Sequence, residues 1–523
     1  MVEPGPWTSS SWTNCPAIGP QRFSKVNWRE PKRTGEHRGM TLPEMGGRRQ
    51  GGDFGTSATF SRFKGPYAAG PPPRDLEVEV PPIGAFGVRE MVRMVVVYMT
   101  ISLCLARSLG AWAVRRRARS AFAAACEGAV DGFVRLGPTY VKIGQIVASS
   151  PGLFPEPLAR AAERCLDEVP PFDSATAREM IRRDLGQSPS ALFKRFDDVP
   201  LSAASIGQVH ACVLPDGREA VIKLQRPNIR RRMTTDLRIG HRLAKTLERH
   251  FAFARNAAVI VLVEDLHAVT YQELNPALEA YRQDRFRRQL WAFGDNRWIT
   301  APEIYWDYCG PHMICMERMS GIPMDEFDAI REMGFDGELI IRRGAKTWLE
   351  AVVVHGPFHG DMHAGNLWVL EDGRASYLDF GIMGEVPDEF KSLIKDLFYT
   401  FIFDQKFARI ARAYKNLGIM SDDMGTDEEV GLRIQMVVAP MLGRSSSMSL
   451  GDFIMSSLEM MKQFGLTAPR EMVLFSKQML YMERYIKGLA PDWRFAADPY
   501  LLKNIFPEEA AKKAAALDME FPD

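Results

Sequence analysis

The sequence predicts an α+β protein of two lobes, a small β-rich one followed by a large helical one, behind a helical extension. Three observations predict it. Apolar residues recur at spacings of three and four from Ala121 to Ser149 and again from 156 to 186. The period then changes at Val209–Leu214 and Glu219–Leu224, which flank Asp216-Gly217 and read as strand, turn, strand. From 338 onward the pattern is helical again, apart from a small hairpin at Leu367–Leu378 around Glu371-Asp372-Gly373.

Residues 1–88 are rich in Gly, Pro, Ser and Arg, include Pro71-Pro72-Pro73 and show no sustained period. Such a stretch buries too little apolar surface to offset its ordering entropy, so it is expected to be disordered. Residues 89–118 form an apolar, arginine-rich helix. Its apolar run, Met94–Ala106, is closed by Arg107, short of the roughly 20 residues a spanning helix needs. Extension to Val114 places Arg107 inside, at about 2.5–3.5 kcal/mol if it sat centrally. Arg93, Arg107, Arg115, Arg116, Arg117 and Arg119 occur over 91–120 without an acid. That pattern suits an interfacial helix on an anionic membrane surface or against a partner. Burial against the body and a true membrane span are the alternatives.

Residues 119–195 make the helical extension. Pro170-Pro171 breaks it, and Asp173 or Ser174 caps the helix that follows. Residues 196–320 make the β-rich lobe, with helices at 229–250 and 255–292 and a last strand at Ile314–Met319. Residues 321–523 make the helical lobe.

A chain of 523 residues is long enough for two to four domains. Its net charge of +1 gives no reason to expect nucleic-acid binding. Cys15, Cys104, Cys126, Cys165, Cys212, Cys309 and Cys315 form no C-x-x-C pair, which points to reduced thiols in a cytosolic environment. The first residues lack a basic region followed by an apolar one, so no secretory signal is expected.

The chemistry lies between 359 and 381. Asp361 is followed five residues later by Asn366 and then by Asp379-Phe380-Gly381. That is the order of the protein-kinase catalytic loop and its metal-binding Asp. Asp361 is the candidate to accept the nucleophile's proton or orient a water. Asn366 and Asp379 supply the oxygen ligands that Mg²⁺ prefers. Lys223, in Val221-Ile222-Lys223, has the context of the strand lysine that pairs nucleotide phosphates. Glu279 is the natural helix carboxylate to position it, with Glu273 as the other option. Met316, Glu317 and Met319 lie on the strand connecting the lobes, where backbone groups are expected to meet adenine. Before Lys223 the expected glycine-rich loop is replaced by Ser202-Ala203-Ala204-Ser205-Ile206-Gly207. With one glycine this loop should be stiffer. A metal-hydrolase reading of His355, His359 and His363 requires a helix that Gly356, Pro357 and Gly360 should break.

These motifs identify a resemblance to the UbiB/AarF family of atypical kinases, also called the ABC-one or ADCK family. It runs from about Arg119 to Thr400. Lys142-Ile143-Gly144-Gln145 looks like the family's K-x-G-Q signature. Ala203-Ala204-Ser205-Ile206-Gly207-Gln208 resembles its alanine-rich nucleotide loop, and Ile222-Lys223-Leu224-Gln225-Arg226-Pro227 its lysine strand. The resemblance implies a two-lobed protein-kinase-like fold whose helical extension carries Lys142 and Gln145 over the nucleotide pocket and restricts protein substrates. It implies Mg²⁺ and ATP as cofactors, and ATPase or small-molecule kinase activity tied to isoprenoid-quinone or membrane-lipid metabolism. It also implies a lipid or quinone-precursor partner, while the reduced thiols and the arginine-rich helix point to a cytoplasmic location, peripheral at the inner membrane face. A nucleotide-gated lipid-binding module with little turnover is the alternative.

Three departures stand out. Asn275 replaces the acid of the family's E-x-D, which should weaken a metal contact or a charge pair with Lys142. Met362 and Ala364 replace the two prolines of H-x-D-P-H-P-G-N, which should loosen the catalytic loop.

Overall fold

The computed structural model describes residues 63–115, 120–148, 155–167, 170–250, 259–442 and 470–522. Residues 1–62 lie outside the described residues, as do Arg116, Arg117, Arg119 and Ser149. Residues 63–88 are not the unpacked tail expected for the whole of 1–88. Tyr67 is 3% exposed and packs in the β-lobe core with Leu185, Phe193 and Tyr308. Its hydroxyl donates to Asp75 at 2.8 Å, and Lys64 pairs with Asp307 at 3.1 Å. Two aromatic rings, Phe63 and Tyr67, bury enough area to anchor a strap that has no periodicity of its own.

Helix α1 (Val88–Arg115) is continuous. Its N-terminal part is tied down where Arg93 pairs with Asp236 at 2.7 Å. One face lies along α2 (Ala121–Leu136), whose Gly128 permits the approach: a Cβ there would stand 3.0 Å from the Cys104 carbonyl oxygen. The other face leaves Val92, Val95, Val96, Tyr98, Met99 and Leu103 exposed. By length and composition α1 is able to cross a membrane.

The helix expected from Ala121 to Ser149 is two helices. Gly137, at φ 95°, ends α2, and Pro138 opens α3 (Pro138–Ala148). Helix α4 (Ser174–Leu185) is capped by the Asp173 side chain, which accepts from the Thr176 N–H.

The β-rich lobe is a sheet in the order β1 (Arg195–Phe196), β3 (Gly207–Val213), β4 (Glu219–Gln225), β6 (Met313–Glu317), with β2 (Ser202–Ala203) also on β3. Lys223 lies opposite Val209 on one side and Ile314 on the other. Helix α5 (Ile229–His250) follows. The helix expected over 255–292 is α6 (Val259–Glu273) and α7 (Pro276–Ala292), because Pro276 cannot continue α6.

After β6 the chain crosses to a second sheet, β5 (Ile299–Thr300), β10 (Ala375–Tyr377), β9 (Leu367–Leu370), β7 (Gly321–Pro323). The β9–β10 hairpin turns at Gly373, φ 82°. Strands β8 (Phe358–His359) and β11 (Met383–Gly384) pair beside it. Helices α8 (Gly337–Glu350), α9 (Asp388–Tyr399) and α10 (Arg470–Leu489) belong to this lobe. Its core, around Trp348, Phe358, Tyr377, Phe380 and Tyr485, is separate from the β-lobe core around Ile222, Leu224 and Cys315.

Candidate active site

Lys223 sits where the two lobes meet. Its Nζ donates to Glu279 Oε1 of α7 at 2.6 Å and to Asp379 Oδ2 at 3.1 Å. Burial alone would lower its pKa, but the Asp379 and Glu279 carboxylates outweigh that and raise it. One ammonium cannot serve both acids equally. Glu279 is 3% exposed. Burial pushes it up to about 7 despite Lys223, and Asp379 adds repulsion. Partial burial pushes Asp379, whose side chain is 47% exposed, upward too, yet Lys223 and the Gly381 N–H hold it down at about 2. Asp379 also adopts φ 56°, uncommon for a residue other than glycine. Such strain is held by its surroundings. Here Phe380 is fully buried against His359 and against Phe286 of α7, ring centroids 5.1 and 5.2 Å apart.

Asp361 follows β8. Its N–H donates to His359 Nδ1 at 3.3 Å, while His359 Nε2 lies 3.0 Å from the carbonyls of Leu378 and Asp379. One buried imidazole therefore bridges the backbone at both acids. Burial lowers its pKa, consistent with a neutral ring donating from Nε2. Both ring nitrogens are used by backbone, so His359 is no metal ligand here. Among the described residues no three His, Cys, Asp or Glu side chains are grouped to hold a metal. The hydrolase reading has no geometric support.

Asn366 ends a short turn. Its Nδ2 donates to the Asp361 carbonyl at 3.0 Å, so Oδ1 is the atom that could hold a cation. Leu378 N–H donates to the Asn366 carbonyl at 2.8 Å, so this amide and Asp379 stand on adjoining backbone. One carboxylate and one amide oxygen fit a hard cation such as Mg²⁺ that completes its shell with phosphates and water.

The loop expected to be loosened by Met362 and Ala364 is clamped instead. Met362 is fully buried. Its N–H donates to Gln478 Oε1 at 2.8 Å and its carbonyl accepts from the Tyr485 hydroxyl at 2.6 Å, both from α10. Gln478 Nε2 also donates to the Gly360 carbonyl at 2.6 Å. Lys477 Nζ reaches Asp361 Oδ1 at 3.0 Å. Sequence reasoning missed all three residues of α10. They carry no motif, and the chain separation is 116 residues for Lys477 and Gln478 and 123 for Tyr485.

The loop from 203 to 207 is tied down. Ala203 pairs with Gln208, Ala204 N–H donates to the Gly207 carbonyl at 2.8 Å, and Ser205 is buried. The Arg226 guanidinium donates to the Ala204 carbonyl at 2.9 Å. No residue from 203 to 207 has a positive φ. Gly207 answers a steric demand: a Cβ there would stand 2.5 Å from the Leu224 carbonyl oxygen. On the connector, Met316 and Glu317 end β6, and Met319 lies between the two sheets. The Glu317 side chain accepts from Arg287 at 3.3 Å and from the Glu303 N–H at 3.1 Å, so it turns toward its own lobe.

In the extension, Lys142 of α3 donates to Glu273 at the end of α6. Losing the second acid has not removed this charge pair. Gln145 is not brought to the same place: its Nε2 donates to the Cys165 carbonyl at 3.1 Å, within the extension. Asn275 has its own use. Its Oδ1 caps α7 by accepting from the Leu278 N–H at 3.1 Å, and its Nδ2 donates to the Asp75 carbonyl at 2.9 Å.

Comparison with known proteins agrees with this architecture. The ABC1 atypical kinase-like domain matches residues 164–413, and the UbiB helical domain matches 434–494, which includes all of α10. An uncharacterized protein of Mycobacterium tuberculosis is 37% identical over 71% of this chain and 75% of its own length. The probable protein kinase UbiB of Erwinia tasmaniensis is 32% identical over 70% of this chain and 68% of its own. An uncharacterized aarF domain-containing protein kinase of Arabidopsis thaliana, described as chloroplastic, is 29% identical over 70% and 72%. With its two-lobed mixed fold, its strand lysine and its ordered Asp361, Asn366 and Asp379, this chain belongs to the UbiB/ABC1 family of atypical kinase-like proteins.

Proposed function

We propose that this protein binds Mg-ATP between its lobes and acts as an ATP-dependent phosphotransferase or ATPase. The observation that carries the reading is Lys223, held at 2.6 Å from Glu279 and 3.1 Å from Asp379. Lys223 is the donor for the nucleotide phosphates, and Glu279 fixes its direction. Ala203, Ala204 and Ser205 would face the phosphates, and Met316, Glu317 and Met319 the adenine, with the Ala204 and Glu317 N–H groups already given to the Gly207 and Glu303 carbonyls. Asn366 Oδ1 and the Asp379 carboxylate would hold Mg²⁺, which when bound neutralises the charge that develops on the phosphates. Asp361 accepts the acceptor's proton or aims a water. Lys142, closed onto Glu273 in the extension, narrows access and favours a small acceptor over a protein one.

The exposed apolar face of α1 supports a membrane-surface location, which we place on the cytoplasmic side. It thereby supports a role in isoprenoid-quinone or membrane-lipid metabolism, with a lipid or quinone precursor as partner. The same Lys142–Glu273 closure supports the second reading, a nucleotide-gated lipid-binding module.

Purified protein should hydrolyse Mg-ATP, and anionic vesicles or quinone-precursor analogues should change the rate. Asp361→Asn should abolish turnover while a nucleotide-dependent melting shift survives, and Lys223→Met should abolish both. Full function of Asp361→Asn in a deletion strain, with Lys223→Met inactive, would select the binding module. Absence of any nucleotide-dependent shift in the wild type would remove both readings.

A further inference from the structure

The C-terminal helix α10 delivers a charged side chain to the acid that the phosphotransfer reading makes central. Lys477 Nζ lies 3.0 Å from Asp361 Oδ1, and the Lys477 side chain remains 48% exposed. Its neighbours on α10 fix the register. Gln478 grips Gly360 and Met362 on either side of Asp361, and Tyr485 grips Met362 again. The position of Lys477 against the loop is thus set by three hydrogen bonds that do not involve it. Tyr481, one turn on, lies under the ammonium with its ring centroid 5.7 Å away. On its own loop Asp361 has His363, whose Nε2 is 3.6 Å from Oδ2, and His359, whose Nδ1 accepts from the Asp361 N–H. From α10 it faces Lys477, Tyr481 and Tyr485, and Glu273 of α6 adds its field to Lys477. Burial lowers the Lys477 pKa, but Asp361, Tyr481 and Glu273 raise it further, so the side chain is a cation at neutral pH.

An aspartate that must take a proton from an acceptor needs one oxygen aimed and its rotamer held. Lys477 occupies Oδ1, so the acceptor would meet Asp361 at Oδ2, on the side where His363 Nε2 lies 3.6 Å away. We infer that Lys477 is a positioning residue for phosphoryl transfer, supplied by the C-terminal helical domain to hold the Asp361 carboxylate in its working orientation. The inference rests on the phosphotransfer reading above. In that step the bond between the acceptor oxygen and the γ-phosphorus forms, and the bond from the γ-phosphorus to its bridging oxygen breaks. The acceptor's proton passes to Asp361, and ADP leaves with the bonding pair.

Lys477→Met and Lys477→Arg in the full chain test it, with kcat and KM for steady-state ATP hydrolysis and the melting temperature as readouts. Lys477→Met should lower kcat by roughly 10- to 100-fold and leave the KM for Mg-ATP and the melting temperature unchanged. Lys477→Arg should recover most of kcat. Wild-type kcat in Lys477→Met would overturn this inference alone. A fall of kcat together with melting temperature, not rescued by arginine, would reduce Lys477 to a structural role and also overturn it. Nucleotide binding without turnover in the wild type would overturn the phosphotransfer reading, and this one with it.

Discussion

The Asn275 amide donates to the Asp75 carbonyl at 2.9 Å, joining the N-terminal strap to the cap of the helix that carries Glu279. An aspartate at 275 keeps the capping oxygen but has no hydrogen to donate, and would set a carboxylate against that carbonyl. Asn275→Asp should therefore destabilise the fold by about 1–3 kcal/mol. Chemical denaturation checks the size. Limited proteolysis should show earlier cleavage between 63 and 80 in the variant, and an unchanged cleavage pattern would refute the link.

Lys142 and Glu273 form a largely buried pair, with side chains 17% and 9% exposed. Removing one partner strands the other charge, whereas removing both leaves no charge to strand. Lys142→Met and Glu273→Leu should each destabilise by a few kcal/mol, about 3–5 at most. The double variant should lie close to the wild type, giving a coupling of about 1–3 kcal/mol in a double-mutant cycle. Additive losses would show that the pair is not coupled.

The Glu279 carboxyl gives the site a pH dependence. Its pKa rises from 4.5 in the unfolded chain to about 7 in the fold. The folded state thus holds the proton more tightly, and this contribution to stability is full below about 4.5 and lost as pH rises through 7. Asp379 has the opposite sign. It is held at about 2, so its contribution is present above 3.8 and lost as pH falls through 2. Melting curves across pH 4.5–7 should therefore show a downward component in wild type that Glu279→Gln lacks. Identical slopes in the two proteins would disprove the assignment.

The loop that carries Asp361 owes its order to α10. Gln478→Leu leaves the buried Met362 N–H and the Gly360 carbonyl without partners, at about 1–3 kcal/mol for each group. Tyr485→Phe removes one donor from the Met362 carbonyl and should cost about 1 kcal/mol. Both should lower kcat for ATP hydrolysis more than they raise KM, which steady-state kinetics would report.

Local signals in the chain foretold much of this. The strand–turn–strand around Asp216-Gly217 and the hairpin around Gly373 were legible because turn chemistry is local. Lys223, Glu279, Asn366 and Asp379 were legible because their spacing follows from shared chemistry. Helix ends were read less well: Gly137-Pro138 and Asn275-Pro276 break helices whose apolar period runs on through them. The strap at 63–88 was missed because two aromatic rings anchor it without a repeat. Gln145 turned inward to Cys165, a backbone contact that no motif encodes. Lys477, Gln478 and Tyr485 lay beyond reach, since nothing local marks a helix residue that will meet a loop more than a hundred positions earlier.

Phe380 has a bearing on inhibition. Its ring fills the space between His359 and the Phe286 face of α7. A compound that needs this phenylalanine swung aside would have to pry the Glu279 helix away as well. Ligands that occupy the cleft with the ring left in place should therefore bind this protein with the smaller conformational penalty.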